Sequence, residues 1–167
     1  MAKTNLISIG RIQTTLPKKL YLGSENPQFP EGTRLVTVNA DPSHSQHFYF
    51  CTRRGNEHEG VLATYDLCYI IVRSLTMEAH PGFRYQKSPL PHFVNGAEYP
   101  CWVTDDMLLI LEEDHSCKST YLFRYKCQPN QVFSCFADEV GARIILEEYQ
   151  CRGDTRKQRF TLQNKPC

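Results

Sequence analysis

The chain has 167 residues, 41% of them hydrophobic, which is typical of one folded domain and too apolar for a disordered chain. Its net charge is +1 at pH 7 and its basic residues are scattered, so nothing electrostatic favours nucleic acid or an anionic membrane as partner. A single domain over residues 1–167 is therefore predicted, and it is expected to bind neither nucleic acid nor a membrane.

Short β-strands are the predicted elements along most of the chain. Proline and glycine recur at short intervals, which favours strands over long helices. Between them lie segments rich in β-branched and aromatic residues, several of which alternate as strands with one buried face do. In chain order, strands are predicted at 19–22, 33–38, 47–52, 61–65, 68–72, 107–111, 118–126 and 158–162.

Residues 137–149 are predicted to form a late α-helix. Val140 and Ile144 fall on a helical stripe, and acidic residues stand in the first turn, where the helix dipole favours them. Gly141 weakens this pattern, and the β-branched pair that begins at Ile144 would also suit a strand. Strands followed by one late helix and a closing strand predict an all-β, up-and-down antiparallel barrel, with a β-sandwich as the competing architecture.

Eight cysteines are the strongest compositional signal. Their number is even, their spacings are wide, and none has the two-residue gap of a zinc or redox motif, so no metal site is predicted. Disulfides formed in an oxidising compartment explain them best, and the cysteine at the last position suits a clamp on the tail. The predicted disulfide-forming residues are Cys51, Cys68, Cys101, Cys117, Cys127, Cys135, Cys151 and Cys167.

The C-terminal third carries a family resemblance. Residues 108–117 combine an apolar strand, an acidic turn and a cysteine; residues 146–151 end a predicted helix at a cysteine; residues 160–167 form a closing strand with a terminal cysteine. These features resemble arthropod salivary lipocalins, particularly those of ticks. The resemblance implies a lipocalin-type, disulfide-stapled barrel in which Cys51 pairs with the last cysteine. The chain departs from ordinary lipocalins in lacking Gly-x-Trp, since its only tryptophan is Trp102.

The protein is predicted to be a secreted monomer that binds rather than catalyses, and the resemblance indicates what it would bind. It would sequester a small apolar or amine host mediator, such as a biogenic amine, an eicosanoid or a fatty acid, or block a host defence protein. The sequence has no GxSxG, no phosphate-binding glycine loop and no CxxC, so neither an enzyme nor a cofactor is predicted. The first residues lack the apolar segment of a signal peptide, so secretion implies a leader already removed.

Aromatic side chains and one acid are the candidate contacts of the implied pocket. Tyr121, Phe123 and Tyr125 alternate on one face of a predicted strand, which suits either a packed core or a ligand-lined interior. An amine ligand would need aromatic faces and an inward carboxylate. The predicted ligand-binding residues are Phe48, Phe50, Trp102, Glu112, Tyr121, Phe123 and Tyr125.

The tripeptide Arg152-Gly153-Asp154 follows Cys151 directly. On an exposed loop it could bridge an integrin, and a disulfide at the loop base would pre-organise it. The alternative is a solvated turn, for which Gly-Asp is suitable chemistry. The competing hypothesis for the whole chain is a disulfide-rich β-sandwich that acts only as a protein–protein inhibitor, specifically an integrin antagonist through this tripeptide.

Overall fold

A computed structural model describes residues 2–40, 46–75, 77, 79–88, 93–117 and 119–164. Predictions on other residues, including the clamp at Cys167, lie outside this range. The described residues form one continuous twelve-stranded sheet. The strands are β1 Thr4–Thr14, β2 Tyr21–Ser24, β3 Leu35–Val38, β4 His47–Arg53, β5 Asn56–Thr64, β6 Tyr69–Arg73, β7 Phe83–Lys87, β8 Leu109–Glu113, β9 Tyr121–Tyr125, β10 Gln128–Cys135, β11 Ile144–Glu148 and β12 Phe160–Leu162.

Six of the strands close into a ring. Strand β1 pairs with β4, β4 with β5, β5 with β8, β8 with β9, β9 with β12, and β12 with β1, all antiparallel. The other six form three hairpins, β2–β3, β6–β7 and β10–β11. A pattern of four strands, with the middle two as a hairpin, therefore occurs three times along the chain.

The three hairpins contact one another in a cycle. The second strand of each hairpin carries an inward apolar residue at its start: Leu35, Phe83 and Ile144, all buried in one cluster. In each hairpin, the residue that precedes this inward residue forms a β-bridge with the residue that follows the inward residue of the next hairpin. The three bridges join Arg34 to Arg84, Gly82 to Ile145, and Arg143 to Val36. The hairpins are thus related by an approximate three-fold arrangement.

Aromatic rings fill the interior where the ring of strands meets the hairpins. The ring centroid of Phe133 lies 4.4 Å from that of Phe83 and 5.1 Å from that of Phe123. Phe160 meets Phe123 edge-on at 5.9 Å. Each such side chain contributes about 1.5–3 kcal/mol to folding by leaving water.

The predicted late helix is wrong. Residues 138–141 form a turn in which Gly141 has a φ of +87°, and β11 follows and pairs with β10 over five residues. A left-handed residue suits a turn and not a helix interior. The β-branched pair that begins at Ile144 is buried in the strand, whereas Val140, on the supposed stripe, is exposed. The helical segments whose residues are all described are two single 3₁₀ turns, at Asp105–Met107 and Arg156–Gln158.

The predicted lipocalin barrel is also wrong, because an up-and-down arrangement pairs strands in chain order. Here β1 pairs with β4 in the ring, and the chain between them leaves to form a hairpin. The competing β-sandwich would need two packed sheets, whereas the twelve strands belong to one. The architecture is all-β, with a different connectivity from either expectation.

The predicted disulfides are wrong for every cysteine that the structure describes, since all seven are free. Cys51 and Cys135 are buried in two different core clusters. The other five lie on five different connections between strands: Cys68, Cys101, Cys117, Cys127 and Cys151. Cys51 and Cys135 therefore act as small apolar core residues, and the other five cysteines lie apart from one another. Secretion remains a prediction, without the support that disulfides would have lent it.

An ion pair is buried where the second four-strand pattern meets the third. Asp114 follows β8 and Arg159 precedes β12; Arg159 Nε donates to Asp114 Oδ2 at 2.5 Å, and the side chains are 5% and 6% exposed. Arg159 also donates to the carbonyl of Gln150 at 3.1 Å. Asp114 Oδ1 accepts from the backbone and hydroxyl of Ser116. Burial by itself raises the pKa of Asp114, but these hydrogen bonds outweigh it and hold the pKa below its ordinary value.

Ellman titration of freshly purified protein tests the thiol assignment. The four exposed cysteines on strand connections should react in the native state, and Cys68, whose thiol pKa is raised by partial burial, should react more slowly. Cys51 and Cys135 should react only in denaturant, because burial raises the pKa of both thiols, that of Cys135 to about 11. Two or fewer thiols in unreduced, unfolded protein would contradict the free state.

Removing the Asp114 carboxylate should destabilise the fold strongly. Asp114→Asn leaves the buried Arg159 charge without its partner, at a cost of about 3–5 kcal/mol in the free energy of unfolding. Because the folded pKa lies below the unfolded one, the stabilisation is present above the ordinary value of 3.8 and is lost as pH falls through the lower folded value. Urea unfolding at several pH values measures both effects, with the exposed Glu113→Gln as the control that should change little.

Candidate functional site

An open cleft of about 490 Å³ lies beside the second hairpin. Its walls come from the ends of β6 and β7, the loop between them and the 3₁₀ turn before β8, and Tyr125 of β9 also lines it. Arg73 and Arg84 provide positive charge, and Leu75 and Met77 provide apolar surface. We call this the second-hairpin cleft.

The two arginines of the second-hairpin cleft have few partners. The guanidinium of Arg73 lies 5.5 Å from the ring centroid of Tyr125, and Arg84 Nη2 donates to Gln86 Oε1 at 3.2 Å. In the described part of the chain, the ion pairs involve other residues, so neither arginine is paired with a carboxylate. Burial raises the pKa of Tyr125 while the hydrogen bond with Arg73 opposes the rise, so the phenol remains protonated.

A second cleft of about 500 Å³ continues from the same arginine. Arg73 is common to both, but the second cleft is lined by His80 and by the carboxylates Glu147 and Glu148. Glu147 accepts a hydrogen bond from the Ser134 hydroxyl at 3.0 Å. Arg73 therefore separates a basic region from an acidic one.

Exposed apolar side chains concentrate on the three hairpin loops. Of the seven large hydrophobic residues that are exposed in the described structure, five lie in these loops. We call them the hairpin-loop residues: Phe29 (73% exposed), Leu75 (84%), Met77 (fully exposed), Phe136 (53%) and Val140 (55%). Each hairpin loop has at least one, so the apolar surface repeats with the fold.

Each hairpin loop is held by the neighbouring hairpin. The bonds follow the cyclic order of the bridges: the first loop binds β7, the second binds β11 and the third binds β3. They join Gly32 N to Tyr85 O at 2.7 Å, Leu146 N to Pro81 O at 3.1 Å, and Gly141 N to Thr37 O at 2.8 Å. The exposed side chains therefore project from anchored loops.

Most of the predicted ligand-binding aromatics lie in the core. Phe48 and Phe50 of β4 and Phe123 of β9 are fully buried, and Tyr121 is nearly so. They pack in one cluster around the interior of the ring. Tyr125 belongs to the same cluster and also lines the second-hairpin cleft.

The other two predicted contacts lie elsewhere. Trp102 packs edge-on against Phe93, with ring centroids 5.3 Å apart, in the second core cluster. Glu112 forms an ion pair with Arg124 at 2.8 Å, and that arginine also stacks over Tyr149. The structure does not bring these two residues together with the aromatic core. No group of metal-ligating side chains is present among the residues it describes.

The tripeptide Arg152-Gly153-Asp154 is exposed on the connection between β11 and β12. Both carboxylate oxygens of Asp154 accept hydrogen bonds from the Arg156 side chain at 2.8 Å, which lowers the pKa of Asp154 to about 2. Cys151 is free, so no disulfide holds the loop base. Gln158 holds it instead, donating to the carbonyl of Glu148 and accepting from the backbone of Gln150, both at 2.8 Å.

No family model matches the sequence, and no curated protein matches it. The fold is similar to solved structures. A designed three-fold symmetric protein, ThreeFoil, matches with a TM-score of 0.69 at 10% identity, over 92% of this chain and 97% of that one. Chicken interleukin-1 beta matches with a TM-score of 0.68 at 10% identity, over 98% and 99%. The hemolytic lectin CEL-III matches at 0.60 and 13%, over 95% of this chain and 33% of that one.

These likenesses show the fold alone, which is the β-trefoil, the fold named for a further match with a TM-score of 0.56 at 7% identity. The resemblance to tick salivary lipocalins is therefore wrong. It rested on short strands, acidic turns and cysteines, which a trefoil also contains. In the described residues, no helix is long and apolar enough to cross a bilayer.

The integrin hypothesis for the tripeptide remains open and makes two predictions. Asp154→Glu should abolish adhesion of purified integrin to immobilised protein, because the longer side chain misplaces the carboxylate. Arg156→Gln should strengthen adhesion, because it releases both oxygens of Asp154. Adhesion that neither substitution alters would dismiss the tripeptide as a binding site.

Proposed function

We propose that this protein is a non-catalytic recognition protein that binds another protein through its hairpin-loop residues. The observation that carries the proposal is the contrast between interior and loops. Buried, mutually packed aromatics occupy the interior, while five exposed apolar residues repeat on the three hairpin loops. Exposed apolar side chains on anchored loops provide apolar area that a partner can bury.

The close packing of the core argues against sequestration of a small mediator inside the ring. Phe123 contacts Phe133 and Phe160 at ring-packing distances, and all three are fully buried. A ligand there would have to displace side chains that stabilise the fold. Recognition at the surface requires no such displacement.

The chemistry of the loops and the adjoining cleft suits a protein interface. Phenylalanine, methionine, tyrosine and arginine are enriched in interface cores, and hot-spot side chains are often tyrosine and arginine. Two of the hairpin-loop residues, Leu75 and Met77, line the cleft that contains Arg73, Arg84 and Tyr125. The backbone bonds between neighbouring hairpins reduce the ordering cost of binding.

One of the similar structures supports this type of function. Chicken interleukin-1 beta, described as a cytokine, matches over nearly the full length of both chains. A cytokine acts through protein contacts made by its surface. At about a tenth identity this adds support to the proposal through fold only.

Photo-crosslinking in the source cells tests the proposal without assuming a compartment. Benzoylphenylalanine replaces Phe29, Leu75 or Phe136 in turn, and Val94, exposed but outside the hairpin loops, is the matched control position. Protease-sensitive adducts of one mass are expected at the three loop positions and not at Val94. Glycosidase-sensitive adducts, or equal labelling at Val94, would refute protein recognition through the loops.

A triple substitution should separate binding from stability. Phe29→Ser, Leu75→Ser and Phe136→Ser together should reduce competition for the crosslinked partner at least about tenfold, since each removes apolar contact area. The Tm should change little, because exposed positions contribute little to folding. Val94→Ser is the control for both measurements, and an unchanged competition by the triple variant would contradict the proposal.

A further inference from the structure

We propose that the second-hairpin cleft binds a short acidic segment of the protein partner, with carboxylates on Arg73 and Arg84 and a neighbouring apolar side chain against Leu75 and Met77. This inference rests on the proposed function and adds the chemistry of the partner. Both arginines are half-buried and line the same cleft as the two exposed apolar residues.

The described residues of the cleft do not balance its positive charge among themselves. Of those that line it, Asp106 is the one carboxylate, and it accepts a hydrogen bond from the Thr104 hydroxyl. Arg73 and Arg84 have aromatic and amide neighbours, and no ion pair joins either to a described carboxylate. Cations in a concave, partly apolar site attract anions strongly, and the arginine fork matches a carboxylate.

The three-fold arrangement shows that the fold does not require a charge at Arg84. The equivalent positions of the other hairpins hold Val36 and Ile145, which are 2% and 1% exposed. The second hairpin departs from this pattern and places Arg84 directly opposite Arg34, the residue before β3. A half-buried arginine where the equivalent positions are buried and apolar departs from the packing pattern, and such departures are expected at functional sites.

A peptide fits the cleft better than a long polyanion. Leu75, Met77 and Met107 line it, and apolar walls favour a ligand with apolar side chains. Beyond Arg73 the adjoining cleft carries Glu147 and Glu148, which would repel an extended negative chain. The anionic part of the ligand is therefore short. Sulfated polysaccharide and nucleic acid need a longer basic track.

Fluorescence anisotropy with labelled peptides tests the inference on the full chain. One peptide carries two aspartates beside two leucines, and its matched control carries asparagine at both acidic positions. Arg84→Val, which restores the residue type of the equivalent positions, and Arg73→Gln should each weaken binding of the aspartate peptide about tenfold or more. Arg54→Gln, in the exposed turn between β4 and β5, should leave binding unchanged.

Three results would overturn the inference: no binding of the aspartate peptide, equal binding of the asparagine peptide, or heparin displacing it through the same arginines. The first two would exclude carboxylate recognition, and the third would assign the cleft to a sulfated polysaccharide. The proposed function is tested separately, because crosslinks at Phe29 and Phe136 report on loops outside this cleft. If these crosslinks persist in Arg84→Val and the asparagine peptide binds as well as the aspartate peptide, the proposed function stands and the acidic specificity of the cleft does not.

Discussion

Closure of the six-strand ring by β12 is the constraint on which the rest of the structure depends. This strand has three residues, yet it pairs with both β1 and β9. Three consecutive side chains stabilise this short strand in its place. Phe160 packs into the core, Arg159 is paired with Asp114, and Gln158 holds the preceding connection. Once the ring is closed, each hairpin packs over the interior and against the next.

A closed and filled ring determines where recognition can take place. The inward side chains pack against one another, so substitutions there destabilise the fold. Residues in the loops can differ in chemistry because substitutions at exposed positions change the stability little. The cyclic backbone bonds make those loops part of the framework and not loose appendages. The three hairpins therefore present a rigid surface whose composition can change without altering the fold.

The sequence predicted the strands better than their arrangement. Alternation located β4 and β9, because one buried face imposes a period of two, and β-branched content located most of β6. Strand β1 was missed because its pattern is interrupted by a register shift beside Gly10, whose φ is +67°. The helix was wrong because a left-handed turn and a buried strand together imitate a helical stripe. The three-fold pattern could not be seen because equivalent core positions hold Leu35, Phe83 and Ile144, which share burial but not identity.

The candidate site was missed for a related reason. Arginines and exposed apolar residues in a loop carry no periodic signal, and only the structure shows which positions are equivalent. Repetition in the structure then provides an internal comparison that the sequence alone does not offer. At this position the first and third hairpins hold a buried valine and a buried isoleucine, whereas the second hairpin holds Arg84. Packing explains the buried apolar positions that the three hairpins share. It does not explain the arginine at position 84, and such a departure is expected at a functional site.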